Sequence, residues 1–246
     1  SEMCIRDRLR RVTMSGTLYL CATPIGNLQD MTERVLLTLK EVDLIAAEDT
    51  RNSIKLLNHF DIKTKCISYH KFNEKERINC FLEILNEGKK IALVSDAGTP
   101  LFCDPGAVIV EELRKHNYTV TALAGANAVA TFLSQVPREA EDFFFAGFLP
   151  KTKTQIENLI KKYRKTDIVF YDSPNRILNT LEIIKEKRPD ASCAVGRELT
   201  KIFEEIVIDR TENIIEHFKT NILKGEIVGL VFREKNNSSD TDINEK

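Results

Sequence analysis

No stretch of this chain is long and apolar enough to look like a membrane span. The longest apolar run, around residues 143–149, is about seven residues, against the roughly 18 that crossing a bilayer requires. A large charge of either sign is also missing. With 36 Lys and Arg against 37 Asp and Glu the formal net charge is −1, so any binding of nucleic acid has to come from a local patch. The six cysteines, Cys4, Cys21, Cys66, Cys80, Cys103 and Cys193, include no Cys-x-x-Cys pair. Their scatter argues against a zinc site or a disulfide framework and predicts a reducing, cytoplasmic setting. A glycine-rich nucleotide loop is lacking too: Ala22-Thr23-Pro24-Ile25-Gly26-Asn27-Leu28 holds a single glycine and is no G-x-G-x-x-G fingerprint. What remains, 246 residues of which 42% are hydrophobic and 30% charged, is the composition of a globular protein able to bury a core, in one large domain or two small ones.

Patterning then alternates strand and helix. Strands are predicted over residues 17–21, 42–47, 66–69, 91–94 and 118–123, with helices over 32–40, 53–60, 76–86 and from 104 to about 116. Such alternation implies an α/β fold with a parallel, doubly wound sheet. The acidic cluster Glu139, Glu141 and Asp142 after Val136-Pro137-Arg138 breaks the rhythm, which places a domain boundary there: residues 14–136 and then 137–233. The second half carries predicted strands at 143–148, 167–171, 192–196, 202–208 and 226–232, and helices at 151–165, 177–187 and 212–218. Residues 202–208 alternate like a half-buried strand paired antiparallel, so this sheet is expected to be mixed. Residues 1–13 hold four arginines and no apolar core; they are not a secretory signal and read as a non-native leader before Met14. Residues 234–246 are polar and aperiodic and read as a disordered tail.

Polar residues gather where the predicted strands end, which is where open α/β sheets bind ligands. After strand 91–94 comes Ser95-Asp96-Ala97-Gly98-Thr99-Pro100. Gly98 permits positive φ or close backbone approach, and Pro100 stops strand pairing; the plain alternative is a turn whose Asp and Thr bond their own backbone. Glu48-Asp49-Thr50-Arg51 is either a helix N-cap with its first turn or a site, and His70 is either structural or functional. Asp172-Ser173-Pro174-Asn175-Arg176 and Arg197-Glu198-Leu199-Thr200-Lys201 follow two later strands. The helical segment 151–165 sets Lys151, Lys153, Lys161, Lys162, Arg164 and Lys165 against the single acid Glu157, either a solvated face or a polyanion contact.

Taken jointly and in this order, these loops resemble the ribosomal RNA small subunit methyltransferase I family, a branch of the tetrapyrrole-methylase-like enzymes, over about residues 16–232. The resemblance implies two α/β domains, S-adenosylmethionine in the cleft between them, a homodimer, and 2'-O-methylation of a cytidine ribose in the decoding region of small-subunit rRNA, with no metal and no membrane partner. Three places depart from the family pattern. Ala124-Gly125-Ala126-Asn127-Ala128 stands where Pro-Gly-Pro-Ser-Ala is usual, which loosens that loop. Asp172 and Asn175 replace Glu and His, and Gly196 stands where Ala is common.

A ribose hydroxyl is a poor nucleophile until its proton is being removed. Catalytic roles therefore fall on Glu48, Asp49, Arg51 and His70, with Glu48 or Asp49 assisting deprotonation and Arg51 positioning the RNA backbone. The cofactor is expected against Pro24, Ile25, Gly26, Ser95, Asp96, Ala97, Gly98, Thr99, Pro100, Gly125 and Asn127. RNA is expected against Lys151, Lys153, Lys161, Lys162, Arg164, Arg176 and Lys201. Two alternatives stay open: a methylase of a tetrapyrrole or other metabolite on the same scaffold, and a non-catalytic ribosome-binding factor.

Overall fold

The computed structural model describes residues 16–220 and 224–234. The expected leader and Met14, and the expected tail beyond Glu234, lie outside the described residues. The chain forms two compact units that divide after Asn127, whereas the sequence rhythm placed the boundary after Val136.

The first unit runs β1 (Thr17–Cys21), α1 (Glu33–Glu41), β2 (Leu44–Ala47), α2 (Thr50–His59), β3 (Cys66–Ser68), α3 (Glu74–Asn86), β4 (Lys90–Val94), α4 (Ala107–Lys115) and β5 (Thr119–Leu123). Its five strands are ordered β3-β2-β4-β1-β5, all parallel. Side chains alternate across the sheet with period two. Cys21, Ile45, Ala92 and Val94 face α1 and α2 through Val35, Leu39 and Leu57. Leu18, Ala46, Ile91 and Leu93 face α3 and α4 through Phe81, Leu85, Ile109 and Leu113. The sheet is therefore covered on both sides, as a parallel sheet must be. The chain leaves adjacent strands β1 and β4 toward opposite faces, which makes their carboxyl ends a topological switch point.

Local chemistry sets where these helices start. Thr32 caps α1 by accepting the Val35 N–H, with Glu33 in the first turn and Lys40 in the last, each sign suited to its end of the helix dipole. The helix predicted from residue 53 begins earlier, at Thr50, because Asp49 accepts the Arg51 N–H and caps it. Glu48-Asp49-Thr50-Arg51 is thus a helix start at a strand's carboxyl end.

The second unit contains α5 (Ala128–Leu133), β6 (Phe143–Phe148), α6 (Lys153–Lys162), β7 (Asp167–Asp172), α7 (Ile177–Lys187), β8 (Ser192–Arg197), β9 (Glu205–Arg210), α8 (Thr211–Thr220) and β10 (Ile227–Val231). Its sheet is ordered β6-β7-β10-β8-β9; β6 and β7 are parallel and the other neighbours antiparallel. Ile156, Ile160, Leu181, Ile184, Ile214 and Phe218 of α6, α7 and α8 close one face over Ile168, Phe170 and Val195. The predicted strand at 202–208 is corrected to β9: Ile202 and Phe203 are 94% and 71% exposed and lie in the turn before Glu205, where no neighbouring strand receives them.

On the opposite face Phe132 of α5 lies over Gly196 so closely that a Cβ there would sit 2.7 Å from the ring. Gly196 is therefore matched to the ring above it. Gly196→Ala is expected to cost about 1–3 kcal/mol through overpacking, measured as a lowered urea midpoint at unchanged m-value, and Phe132→Leu in the same chain should recover most of it.

Candidate active site

All five strands of the first sheet are parallel, so the loops after β1, β2, β4 and β5 open at one edge. Three of them are knitted together. Thr23 and Gly98 exchange backbone hydrogen bonds of 2.9 and 3.0 Å. The buried Thr23 hydroxyl donates to the Ser95 carbonyl at 3.1 Å, and the Ser95 hydroxyl donates to the Gly98 carbonyl at 3.0 Å. The Thr99 hydroxyl reaches across to the Ala126 carbonyl at 3.0 Å. Gly98 sits at φ +79°, with space for a Cβ only 3.2 Å from Ile25. At Gly125 a Cβ would overlap that of Ala22 at 2.6 Å. The stretches 22–26, 95–100 and 124–127, singled out separately in the sequence, are brought into one place.

Beside this weave lies a groove of about 360 Å³, walled by Thr23, Pro24, Gly26, Ser95 and Asp96 and by Asn52, Leu56 and His59 of α2. Pro24, Gly26, Ser95 and Asp96 belong to the expected cofactor set. Ile25 is buried behind the wall, and Ala97, Gly98, Thr99, Pro100, Gly125 and Asn127 do not line the groove but join it through the Thr23–Gly98 bridge.

The acidic residues divide by environment. Asp49 caps α2 and is clamped by Arg51, Nε to Oδ1 at 3.0 Å and Nη2 to Oδ2 at 2.6 Å, and these bonds push its carboxyl down to about 2. Asp96 fastens the same helix start, accepting from the Asp49 N–H at 3.1 Å and from Asn52 Nδ2 at 3.2 Å. Glu48 differs: partial burial first, then the charges of Asp104 and Asp96, hold its carboxyl above the ordinary range. Asp104 is raised as well, by burial and by Asp96. His70, after β3, donates its backbone N–H to Asn73 Oδ1 at 2.8 Å, and its Nδ1 accepts from the Phe72 N–H at 3.3 Å. The ring stands close enough to Glu48 for its charge to act on that carboxyl in the lowering direction, against the burial and the acids that raise it.

Asp104, Asn52 and Glu74 were not singled out from sequence. Asp104-Pro105-Gly106 reads as a helix start, and only the fold carries that turn back toward Glu48. Glu74 accepts from both the Tyr69 hydroxyl at 3.1 Å and the Gly106 N–H at 2.8 Å, so it ties the start of α3 to that of α4. Tyr69 itself is fully buried and stacked on Phe81.

In the second unit the expected RNA-contacting cations fall into two groups. Arg176 Nη2 donates to the Leu149 and Pro150 carbonyls at 3.1 and 2.7 Å, with Nε 3.4 Å from buried Asp172. Lys201 is paired with Glu198 at 2.9 Å and Glu226 at 3.6 Å, in a turn where Glu198 and Thr200 both take positive φ. Lys153 is paired with Glu186. Lys151, Lys161, Lys162, Arg164 and Lys165 are exposed and form no ion pair with a described residue, while Lys162 lies 5.0 Å over the Tyr163 ring. Among the described residues no helix is long and apolar enough to cross a membrane, and no group of His, Cys, Asp and Glu could hold a metal ion.

Comparison with known proteins adds the following. A family model described as tetrapyrrole (corrin/porphyrin) methylases matches residues 17–215. The chain is 43% identical over 218 residues to the ribosomal RNA small subunit methyltransferase I of Halalkalibacterium halodurans, spanning 88% of this chain and 75% of that one. Against the protein of the same name from Thermotoga maritima it is 42% identical over 214 residues, 86% of this chain and 96% of that one. Among solved structures, diphthine synthase superposes with a TM-score of 0.71 at 14% identity, covering 89% of this chain and 91% of that one. Cobalt precorrin-4 methyltransferase gives 0.64 at 17% identity, covering 88% and 94%. At such identities these two share the fold.

A carboxyl whose pKa is raised by folding holds its proton more tightly folded than unfolded. Its ionisation therefore weakens the fold as pH climbs past the unfolded value, and the effect is gone below that value. For Glu48 the shift is upward. Glu48→Gln should accordingly raise the Tm near neutral pH and leave it unchanged well below the ordinary glutamate range. A lowered Tm at neutral pH would mean that the charged carboxylate is held by a net attraction instead.

Proposed function

Because the chain belongs to the tetrapyrrole methylase family and, within it, to the ribosomal RNA small subunit methyltransferase I group, we propose that this rRNA methyltransferase modifies the 2'-oxygen of a cytidine ribose in the decoding region of the small subunit. The observation that carries the reading is Glu48: a carboxyl raised by burial and by neighbouring acids, at the strand edge where the loops of β1, β4 and β5 are tied together. A carboxyl at that edge is placed to take a proton from a hydroxyl brought to it.

The tied loops suit S-adenosylmethionine. Gly98 and Gly125 stand where a Cβ would press on Ile25 and Ala22, which leaves walls of backbone and small side chains, and the groove beside them, at about 360 Å³, is of ligand size. Pro24, Gly26, Ser95, Asp96 and the Gly98 and Gly125 turns would hold it, and when bound it supplies a methyl group already activated on a sulfonium. The chain's own residues do the rest. Glu48 accepts the ribose hydroxyl proton. Asp49, held near 2 by Arg51, is too weak a base for that and serves as cap and clamp. Arg51 keeps Nε and Nη2 on Asp49 while its side chain stays 86% exposed, leaving Nη1 for a phosphate of the RNA. Asp96 fixes the start of α2, and with it the spacing between Glu48 and the groove. Arg176 and Lys201 are spent on their own loops, so the RNA backbone falls to Lys151, Lys161, Lys162, Arg164 and Lys165. A homodimer and a cytoplasmic location complete the proposal.

Incubation with methyl-labelled S-adenosylmethionine and small ribosomal subunits, followed by nuclease mapping, tests the reading. Label is expected on a decoding-region cytidine ribose; label on a tetrapyrrole and none on subunits would replace it. Glu48→Gln should lower kcat by about 10²–10⁴-fold without weakening cofactor binding, whereas Asp49→Asn should keep most of the activity. Neutralising Lys161 and Lys162 together should weaken RNA binding and flatten its salt dependence by about one phosphate contact per charge, read from affinities across a salt series.

A further inference from the structure

Glu74 opens α3, and its Oε1 accepts two hydrogen bonds, from the Tyr69 hydroxyl at 3.1 Å and from the Gly106 N–H at 2.8 Å. Each donor leads to the edge that carries Glu48. Tyr69 prolongs the pairing of β3 with β2: its N–H donates to the carbonyl of Ala47 at 2.8 Å, and Ala47 is the residue before Glu48. Its ring is fully buried on Phe81, which fixes where the hydroxyl arrives. Gly106 is the N-cap of α4, two residues after Asp104, and offers no side chain to that helix start. A Cβ there would stand 2.6 Å from Leu101 and 2.9 Å from Leu93, and φ is +135°, so the turn is pressed onto the sheet where a side chain has no room. The Glu74 carboxylate therefore lies in the first turn of α3 and against the first N–H of α4, favourable for the dipole of each helix.

Pro105 stiffens the step from Gly106 back to Asp104, so Asp104 goes where Gly106 is held. Its carboxyl meets the Ser95 side chain and feels the charge of Asp96, and both of those residues wall the groove. The charged groups that bear on Glu48 are Asp104, Asp96, His70 and Asp49. Asp96 is anchored by the Asp49 N–H and Asn52, and Asp49 by Arg51. His70 is anchored by Asn73, whose Nδ2 also donates to the Ser68 carbonyl at 3.2 Å. Asp104 is anchored through the backbone of its turn, by Glu74. Glu74 is not itself among the charges acting on Glu48, so what it supplies to that edge is placement.

We propose that Glu74 is a positioning residue for methyl transfer: through the Gly106 N–H and the Tyr69 hydroxyl it fixes the Asp104 carboxylate at the edge that carries Glu48. This rests on the reading of Glu48 as the base. Single-turnover methylation of small ribosomal subunits by the full chain, followed across pH, tests it. The limb on which the rate climbs with pH reports the base in the bound complex. Asp104→Asn removes a like charge, so the midpoint of that limb should move to lower pH. Glu74→Ala should move it the same way, and Glu74→Gln, which keeps Oε1 as an acceptor, should restore the parent midpoint. On the Asp104→Asn background Glu74→Ala should add no further shift, because both act through one carboxylate. If Glu74→Ala does not fold, Tyr69→Phe removes one of the two bonds and should give a smaller shift in the same direction. A midpoint that neither Asp104→Asn nor the loosened variants move would make Glu74 a tie between helices only and overturn the proposal; an inactive Glu48→Gln would then leave the base reading standing. A further shift on the Asp104→Asn background would overturn it too, since the effect would not run through Asp104. Full activity of Glu48→Gln would remove the base reading and this proposal together.

Discussion

Two backbone hydrogen bonds, exchanged between Thr23 and Gly98, set the geometry on which the rest of the site depends. The parallel sheet delivers the loops after β1 and β4 side by side at a switch point, where the chain turns away to opposite faces and the loops would otherwise diverge. The bridge closes that gap. Gly98 donates to and accepts from Thr23 at φ +79°, a conformation that glycine holds without strain. The Thr23 hydroxyl then satisfies the Ser95 carbonyl, and the Ser95 hydroxyl adds a second bond to the Gly98 carbonyl that the Thr23 N–H already reaches, so the polar groups of the buried turn are paired. Thr99 extends the weave to the loop after β5. The loop at 124–127, which contains no proline, is thus held from the loop after β4, across the intervening β1, by a hydrogen bond to its own backbone.

The same edge separates two adjacent acids. Glu48 and Asp49 are neighbours in sequence with opposite displacements, one raised by burial and like charge, the other lowered by Arg51 and the start of α2. Pairs of carboxyls pushed apart in this way are how a site assigns a proton-holding role and a fixed-charge role. Asp96 links them: its charge contributes to raising Glu48, while its oxygens secure the Asp49 N–H and Asn52. Asp96, which walls the groove, therefore also bears on the Glu48 carboxyl.

The strand ends and both sheets were legible in the sequence because apolar runs broken by polar turns have few other readings; strand 17–21, strand 143–148 and helix 177–187 are predicted at the residues where they occur. Which polar residue at a strand end is chemical was less legible. Asp49 and Arg51 look alike as a cap or as catalytic groups until their bonds are seen, and Asp104 is invisible as a site residue because its proximity to Glu48 is set by the crossover through α3 and α4. Arg176 and Lys201 illustrate the same limit for cations. A basic residue after a strand signals a charge near the edge, but whether that charge is free depends on carbonyls and carboxylates far away in sequence.

That sorting of cations matters because the chain is nearly neutral overall. A protein with net charge −1 gains no general attraction to RNA, so its affinity has to come from charges that are not already neutralised within the fold. Arg176, Lys201 and Lys153 are neutralised or hydrogen-bonded in place within the second unit. Lys151, Lys161, Lys162, Arg164 and Lys165 are what the fold leaves over, and they lie on one segment. Phosphate contacts of this kind position a nucleic acid without reading it.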